Sequence, residues 1–150
     1  MAQAMVEDYA RFSTNVYFDN ASLPLSLAGS GWAVRSNATV DLISQNPVSG
    51  FAAATFVSGI GATANYVISF RGTDQGVGDA LFEPGNNSDW LNNILGHIGS
   101  GFQSQIRDAI NAVESVINSG VSLDKITFTG HSLGGGLATL MSALYNRPAT

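Results

Sequence analysis

The chain has 150 residues, 45% of them hydrophobic, with 6 Lys+Arg against 11 Asp+Glu and a net charge of −5. That length suits a single domain with a real core, and the composition is neither that of a disordered chain nor that of a membrane-spanning one. A phosphate backbone would be repelled by such a surface, which argues against nucleic acid as a partner.

Cysteine is absent, which excludes disulfides and thiolate metal sites. No run of about 18 apolar residues suggests a membrane-spanning helix. The opening MAQAMVEDYARF lacks the basic region and apolar stretch of a cleavable leader.

In chain order, Met5, Tyr9, Phe12 and Val16 recur at spacings of three and four and predict an N-terminal helix over 5–18. DNASLPLSLAGS at 19–30 is turn-rich and reads as a loop, and 39–44 reads as a short strand. FAAATFVS at 51–58 and NYVISF at 65–70 are apolar and partly β-branched, with GIGATA between them, which predicts a hairpin. Segment 74–99, DQGVGDALFEPGNNSDWLNNILGHIG, is rich in Gly and Asn and reads as loop, with Leu81, Phe82, Trp90, Leu91, Ile94 and Leu95 standing out in it.

From Gly101 to Asn118 one face carries Phe102, Ile106, Ala109, Ile110, Val113 and Ile117, the clearest amphipathic helix in the chain, closed by Gly120. KITFT at 125–129 is a short strand, and 133–146 a helix stopped before Pro148. A strand, a crossover helix and a returning strand imply a parallel pair in a mixed sheet of the α/β class.

Gly130-His131-Ser132-Leu133-Gly134 fits G-x-S-x-G between a predicted strand and a predicted helix, where a nucleophile elbow belongs. A serine on so tight a turn needs small neighbours two residues away on each side, and glycine stands at both. The helix that follows points free N–H groups at the site, and the Leu133 N–H would face an oxyanion. The plain alternative is a glycine-rich helix start capped by a serine.

FRGT at 70–73, DWLNN at 89–93, GHIGSGF at 96–102 and TGHSLGGGLA at 129–138, in that order, resemble the class 3 (fungal-type) lipases of the α/β-hydrolase fold. The resemblance implies a partial α/β-hydrolase fold, a mixed and mostly parallel sheet flanked by helices, with residues 1–150 as a single N-terminal portion of that domain. It also implies Ser132 as nucleophile, with Thr73 and Leu133 forming the oxyanion hole. It makes 74–95 a candidate lid that meets lipid, though Leu81, Phe82 and Trp90 serve equally well as packed loop anchors.

Arg71, unable to act as a base, is expected to bond loop carbonyls or a carboxylate. His131 and His97 are expected in packing or hydrogen-bonding roles, and Asp74 and Asp89 as solvated or capping acids.

The α/β-hydrolase triad runs Ser, acid, His along the chain, yet residues 133–150 contain no Asp, Glu or His. The expected activity is therefore a carboxylic ester hydrolase of the lipase type, on a triacylglycerol-like ester, catalytically incomplete within these residues. The alternative is a non-catalytic lipase domain that serves as a binding or assembly module. Acyl transfer to an acceptor other than water would use the same machinery.

No cofactor or metal is needed for this chemistry, and the resemblance leans towards secretion. A strand at 125–129 without a further neighbour would present an open edge, so a homodimer or higher oligomer is expected.

Overall fold

The computed structural model describes residues 4–17, 26–35, 43–46, 49–72 and 89–150, and the side chains of these outside 43–45 and 89–102. The first helix, α1 (Val6–Asn15), lies within the predicted span. Its first turn carries Glu7 and Asp8 near the positive end of the helix dipole, and the Asp8 carboxylate accepts the Met5 N–H at 2.9 Å. Phe12 and Val16 are buried.

Two short strands, β1 (Ala33–Val34) and β2 (Ile43–Asn46), precede the long hairpin of β3 (Phe51–Ser58) and β4 (Asn65–Phe70). The hairpin is antiparallel, with Ala53 opposite Phe70 and Ser58 opposite Asn65, as the sequence predicts. β1 and β2 share the far edge of β3, both antiparallel to it. The strand expected at 39–44 is thus seen as 43–46, and 39–42 lie outside the described residues.

The crossover helix, α2 (Asp89–Asn118), is 30 residues long. This corrects the loop expected over 89–99: the helix begins well before Gly101. The glycines at 96, 99 and 101 read as breakers, but once a helix is nucleated each added residue contributes a bond. The spacing of Leu91, Ile94, Leu95, Ile98 and Phe102 continues the helical period of the amphipathic half.

After a single 3₁₀ turn at Leu123–Lys125, β5 (Ile126–Gly130) returns parallel to β4, from Tyr66 opposite Ile126 to Phe70 opposite Gly130. The last helix, α3 (Leu133–Tyr145), ends at Asn146 in the left-handed region with φ 52. Among the described residues the result is a five-stranded mixed sheet, antiparallel in its pairings except β4 with β5 rather than mostly parallel, and compatible with a partial α/β-hydrolase fold.

Alternate strand residues point to opposite faces. Phe51, Ala53, Ile68, Phe70, Ile126 and Phe128 pack with Ala109, Val113 and Val116 of α2 and with Leu137, Ala138 and Met141 of α3. Ala54, Phe56 and Val67 meet Phe12, Val16, Leu27 and Trp32, with Phe12 stacked on Phe56 at 4.4 Å between centroids.

The open edge expected at β5 is in part closed. Beyond Asn146 the chain turns back along that edge, so that the Phe128 N–H donates to the Pro148 carbonyl (2.9 Å) and the Thr150 N–H to the Phe128 carbonyl (3.0 Å). Ala149 and Phe128 form a parallel bridge. The side chain of Arg147 anchors the return on the carbonyls of Ile126 (3.2 Å) and Asp124 (2.6 Å). The unpaired edge that motivated the expected homodimer is therefore occupied at its centre.

Candidate active site

Ser132 sits between the end of β5 and the start of α3, at φ 57 and ψ −126, one of two described non-glycine residues with positive φ. Such a backbone costs on the order of 1–3 kcal/mol and persists only where its surroundings enforce it. Here they do. A methyl group on Gly130 would overlap the Gly134 carbonyl, and one on Gly134 would overlap the Phe70 carbonyl at the end of β4. β4, β5 and α3 thus meet at a point where only hydrogen fits.

The serine is exposed and makes no capping bond to its own helix, which disfavours the capping alternative. Leu133, as the first helical residue, has no acceptor within the helix for its N–H. The next three amides are spoken for: Gly134 N–H donates to the His131 carbonyl (3.0 Å), and Gly135 and Gly136 donate to the Ser132 carbonyl at 2.9 and 3.3 Å. A free N–H beside an exposed hydroxyl at a helix N-terminus is the arrangement that stabilises an oxyanion.

Gly72, at the end of the FRG run, lies against this turn. A methyl group there would come 2.6 Å from the Tyr17 hydroxyl oxygen, 2.9 Å from the His131 carbonyl and 3.4 Å from Ser132 Cβ. Thr73, the next residue, lies outside the described residues, as do 74–88 of the lid candidate, Asp74 included. Residues 89–95 form the first turns of α2, and His97 follows on the same helix.

Arg71 meets its expected role: its N–H donates to the Ala52 carbonyl (2.9 Å), continuing the ladder beyond β4, and its guanidinium reaches the Gly50 carbonyl at 3.4 Å. His131 is exposed and lines an open cavity of about 820 Å³ together with Tyr9, Ser13, Tyr17, Thr129 and Thr150.

That cavity lies between α1 and the end of β5, and Ser13 and Thr129 are among the residues that line it. Thr129 Oγ1 donates to the Thr150 carbonyl (2.7 Å) and lies 3.2 Å from Ser13 Oγ. Ser69 Oγ donates to the Phe12 carbonyl at 3.1 Å. The sequence motifs contain none of these contacts, nor the bond from the Gly72 N–H to the Tyr17 hydroxyl at 3.0 Å. The one signal available was the alternation in β4 and β5, where Ser69, Thr127 and Thr129 take the phase opposite Ile68, Phe70, Ile126 and Phe128.

Among the described residues no carboxylate or imidazole hydrogen-bonds the Ser132 hydroxyl. Within that same set no group of three or more His, Asp and Glu is placed to hold a metal ion, and no helix is long and apolar enough to cross a membrane.

A family model described as a Tle-like phospholipase domain matches residues 8–150. No curated protein and no solved structure matches the chain.

Proposed function

This chain belongs to the Tle-like phospholipase domain family, and from that premise we propose that it cleaves carboxylic esters of lipids with Ser132 as its nucleophile. The observation that carries the reading is the strained backbone of Ser132 on a strand–turn–helix packed by Gly130 and Gly134. Its Oγ attacks the ester carbonyl, and the tetrahedral oxyanion is held by the Leu133 N–H and by the N–H and hydroxyl of Thr73. The intermediate collapses, the alcohol leaves, and water releases the acid from the acyl-enzyme.

The family's name directs the substrate towards a glycerophospholipid. The resemblance to class 3 lipases directs it towards a triacylglycerol, and both contain the same bond. The attacking hydroxyl needs a base that removes its proton and delivers it to the departing alcohol. With none bonded to Ser132 among the described residues, a folded but non-catalytic lipid-binding domain is the second reading.

Added imidazole separates the two, because it offers a base from solution without altering the fold. We expect slow turnover of p-nitrophenyl butyrate by this chain, raised by imidazole above imidazole's own solution rate and abolished in Ser132→Ala. An oxyanion hole acting alone leaves roughly 10³–10⁴-fold acceleration over water. Equal rates for the chain and Ser132→Ala at every imidazole concentration would remove the hydrolase reading and leave the binding domain. Where turnover is Ser132-dependent, dispersed phosphatidylcholine and tributyrin rank the two lipid classes.

A further inference from the structure

We infer that Tyr17 is a positioning residue for the oxyanion loop, acting on Ser132 chemistry through Gly72. The inference rests on the hydrolase reading above and adds a residue that lies outside every motif used to reach it.

The geometry begins with the backbone that leads out of β4. The Arg71 N–H is fixed to Ala52 by the ladder, so the chain is held as far as that peptide. Gly72 comes next and has no strand partner. Glycine is the residue with the widest choice of backbone angles, so a glycine here would let the following N–H swing freely. Yet nothing else fits: the Tyr17 oxygen, the His131 carbonyl and Ser132 Cβ surround the position a side chain would take.

The site therefore combines a forced glycine with a need for fixed direction. The Tyr17 hydroxyl resolves that conflict by accepting the Gly72 N–H at 3.0 Å. This pins the peptide before Gly72 and leaves one pair of dihedral angles between the pinned amide and the amide of Thr73. Tyr17 is itself held, because it follows Val16, 5% exposed, and its ring packs on the cluster of Phe12, Trp32 and Phe56. A bond between residues 17 and 72 thereby ties the end of α1 to the Gly72 backbone that abuts the Ser132 turn.

Reacting groups misplaced by about 1 Å can lose as much as 100-fold in rate. The test is Tyr17→Phe, which keeps the ring and removes the acceptor. Ser132-dependent turnover of p-nitrophenyl butyrate in imidazole is expected to fall about 10- to 100-fold in kcat, with KM within about twofold. The melting midpoint should stay within a few degrees, and the Gly72 amide should exchange its hydrogen at least about tenfold faster.

A kcat equal to that of the unsubstituted chain overturns the positioning role. So does a loss of kcat with Gly72 exchange unchanged, since the effect would then not run through that amide. If Tyr17→Phe does not fold, Gly72→Ala, which pushes against the same oxygen, is the second variant. It must lower kcat in a folded chain for the inference to stand. Failure of the hydrolase reading looks different: Ser132→Ala would then have no effect on turnover at all.

Discussion

Phe128 and Thr129 are consecutive residues of one strand, and they face opposite sides of the sheet. Phe128 is wholly buried among Phe70, Tyr145 and the apolar faces of α2 and α3. Thr129 is 1% exposed on the other side, where it spends its hydroxyl on the Thr150 carbonyl and lies within reach of Ser13.

The two faces are built on different physics. Apolar burial is non-directional and scales with area, so the α2–α3 face holds the sheet together without fixing any one atom. Hydrogen bonds contribute less each but demand direction. The α1 face, beside the Ser132 turn, carries Ser69, Thr129 and Tyr17 in such bonds. The α1 face has an apolar cluster of its own around Phe12 and Phe56, and beside the turn it adds placement by direction.

The largest test of that contrast is Phe128→Ala. Truncating a fully buried Phe should cost about 3–5 kcal/mol, read as a lower urea midpoint with an unchanged slope. A loss under about 1 kcal/mol would show that the face does not carry the stability assigned to it.

Next comes Thr129→Val, nearly the same shape without the hydroxyl. It leaves the Thr150 carbonyl and Ser13 without this partner and should cost roughly 1–2 kcal/mol. Faster hydrogen exchange at the Thr150 amide is expected alongside. A neutral result in both measurements would make the hydroxyl face merely filled space.

The smallest effect belongs to Tyr145, whose ring lies 6.2 Å from Phe128 between centroids. Burial, and then the Glu114 carboxylate that accepts its proton at 2.7 Å, raise its pKa well above the ordinary 10.0. Above about pH 10 the unfolded chain has lost this proton while the folded chain keeps it. The unfolded state then binds fewer protons, so stability falls as pH rises. The contribution is fully present below about pH 10 and fades as the raised value is approached. Tyr145→Phe should flatten the decline in melting temperature between pH 9 and pH 11, and an unchanged slope would count against the pairing.

Legibility in the sequence followed the same division. β3, β4 and β5 were readable because short apolar, partly β-branched runs stand between turn residues, which is how burial writes itself into a strand. β1 was not, since two residues carry no period. Ala33 and Val34 are strand because β3 offers them an edge, and the ladder runs on through the Arg35 N–H to the Thr55 carbonyl. The start of α2 was hidden by glycines, each worth about 1 kcal/mol against alanine in a helix interior. Ala109, Val113 and Val116 anchor its far half in the core.

Ser132 was legible because its turn requires glycines at fixed offsets. Tyr17 was not, because its partner is 55 residues away and a hydroxyl leaves no pattern. At 17 it follows the apolar stripe of α1 and looks like the end of that stripe.

The parallel pairing of β4 with β5 has a further consequence in chain entropy. The hairpin closes over a few residues between Ser58 and Asn65, whereas Phe70 and Gly130 meet only after an excursion through 71–129. Closing a flexible loop roughly ten times longer costs about 2 kcal/mol more by the logarithmic scaling of loop closure. That contact brings Gly72 and Ser132 together from the two ends of the excursion. The site is thus assembled across the most entropically demanding junction of the described sheet, and its two halves stay together only while that loop stays closed.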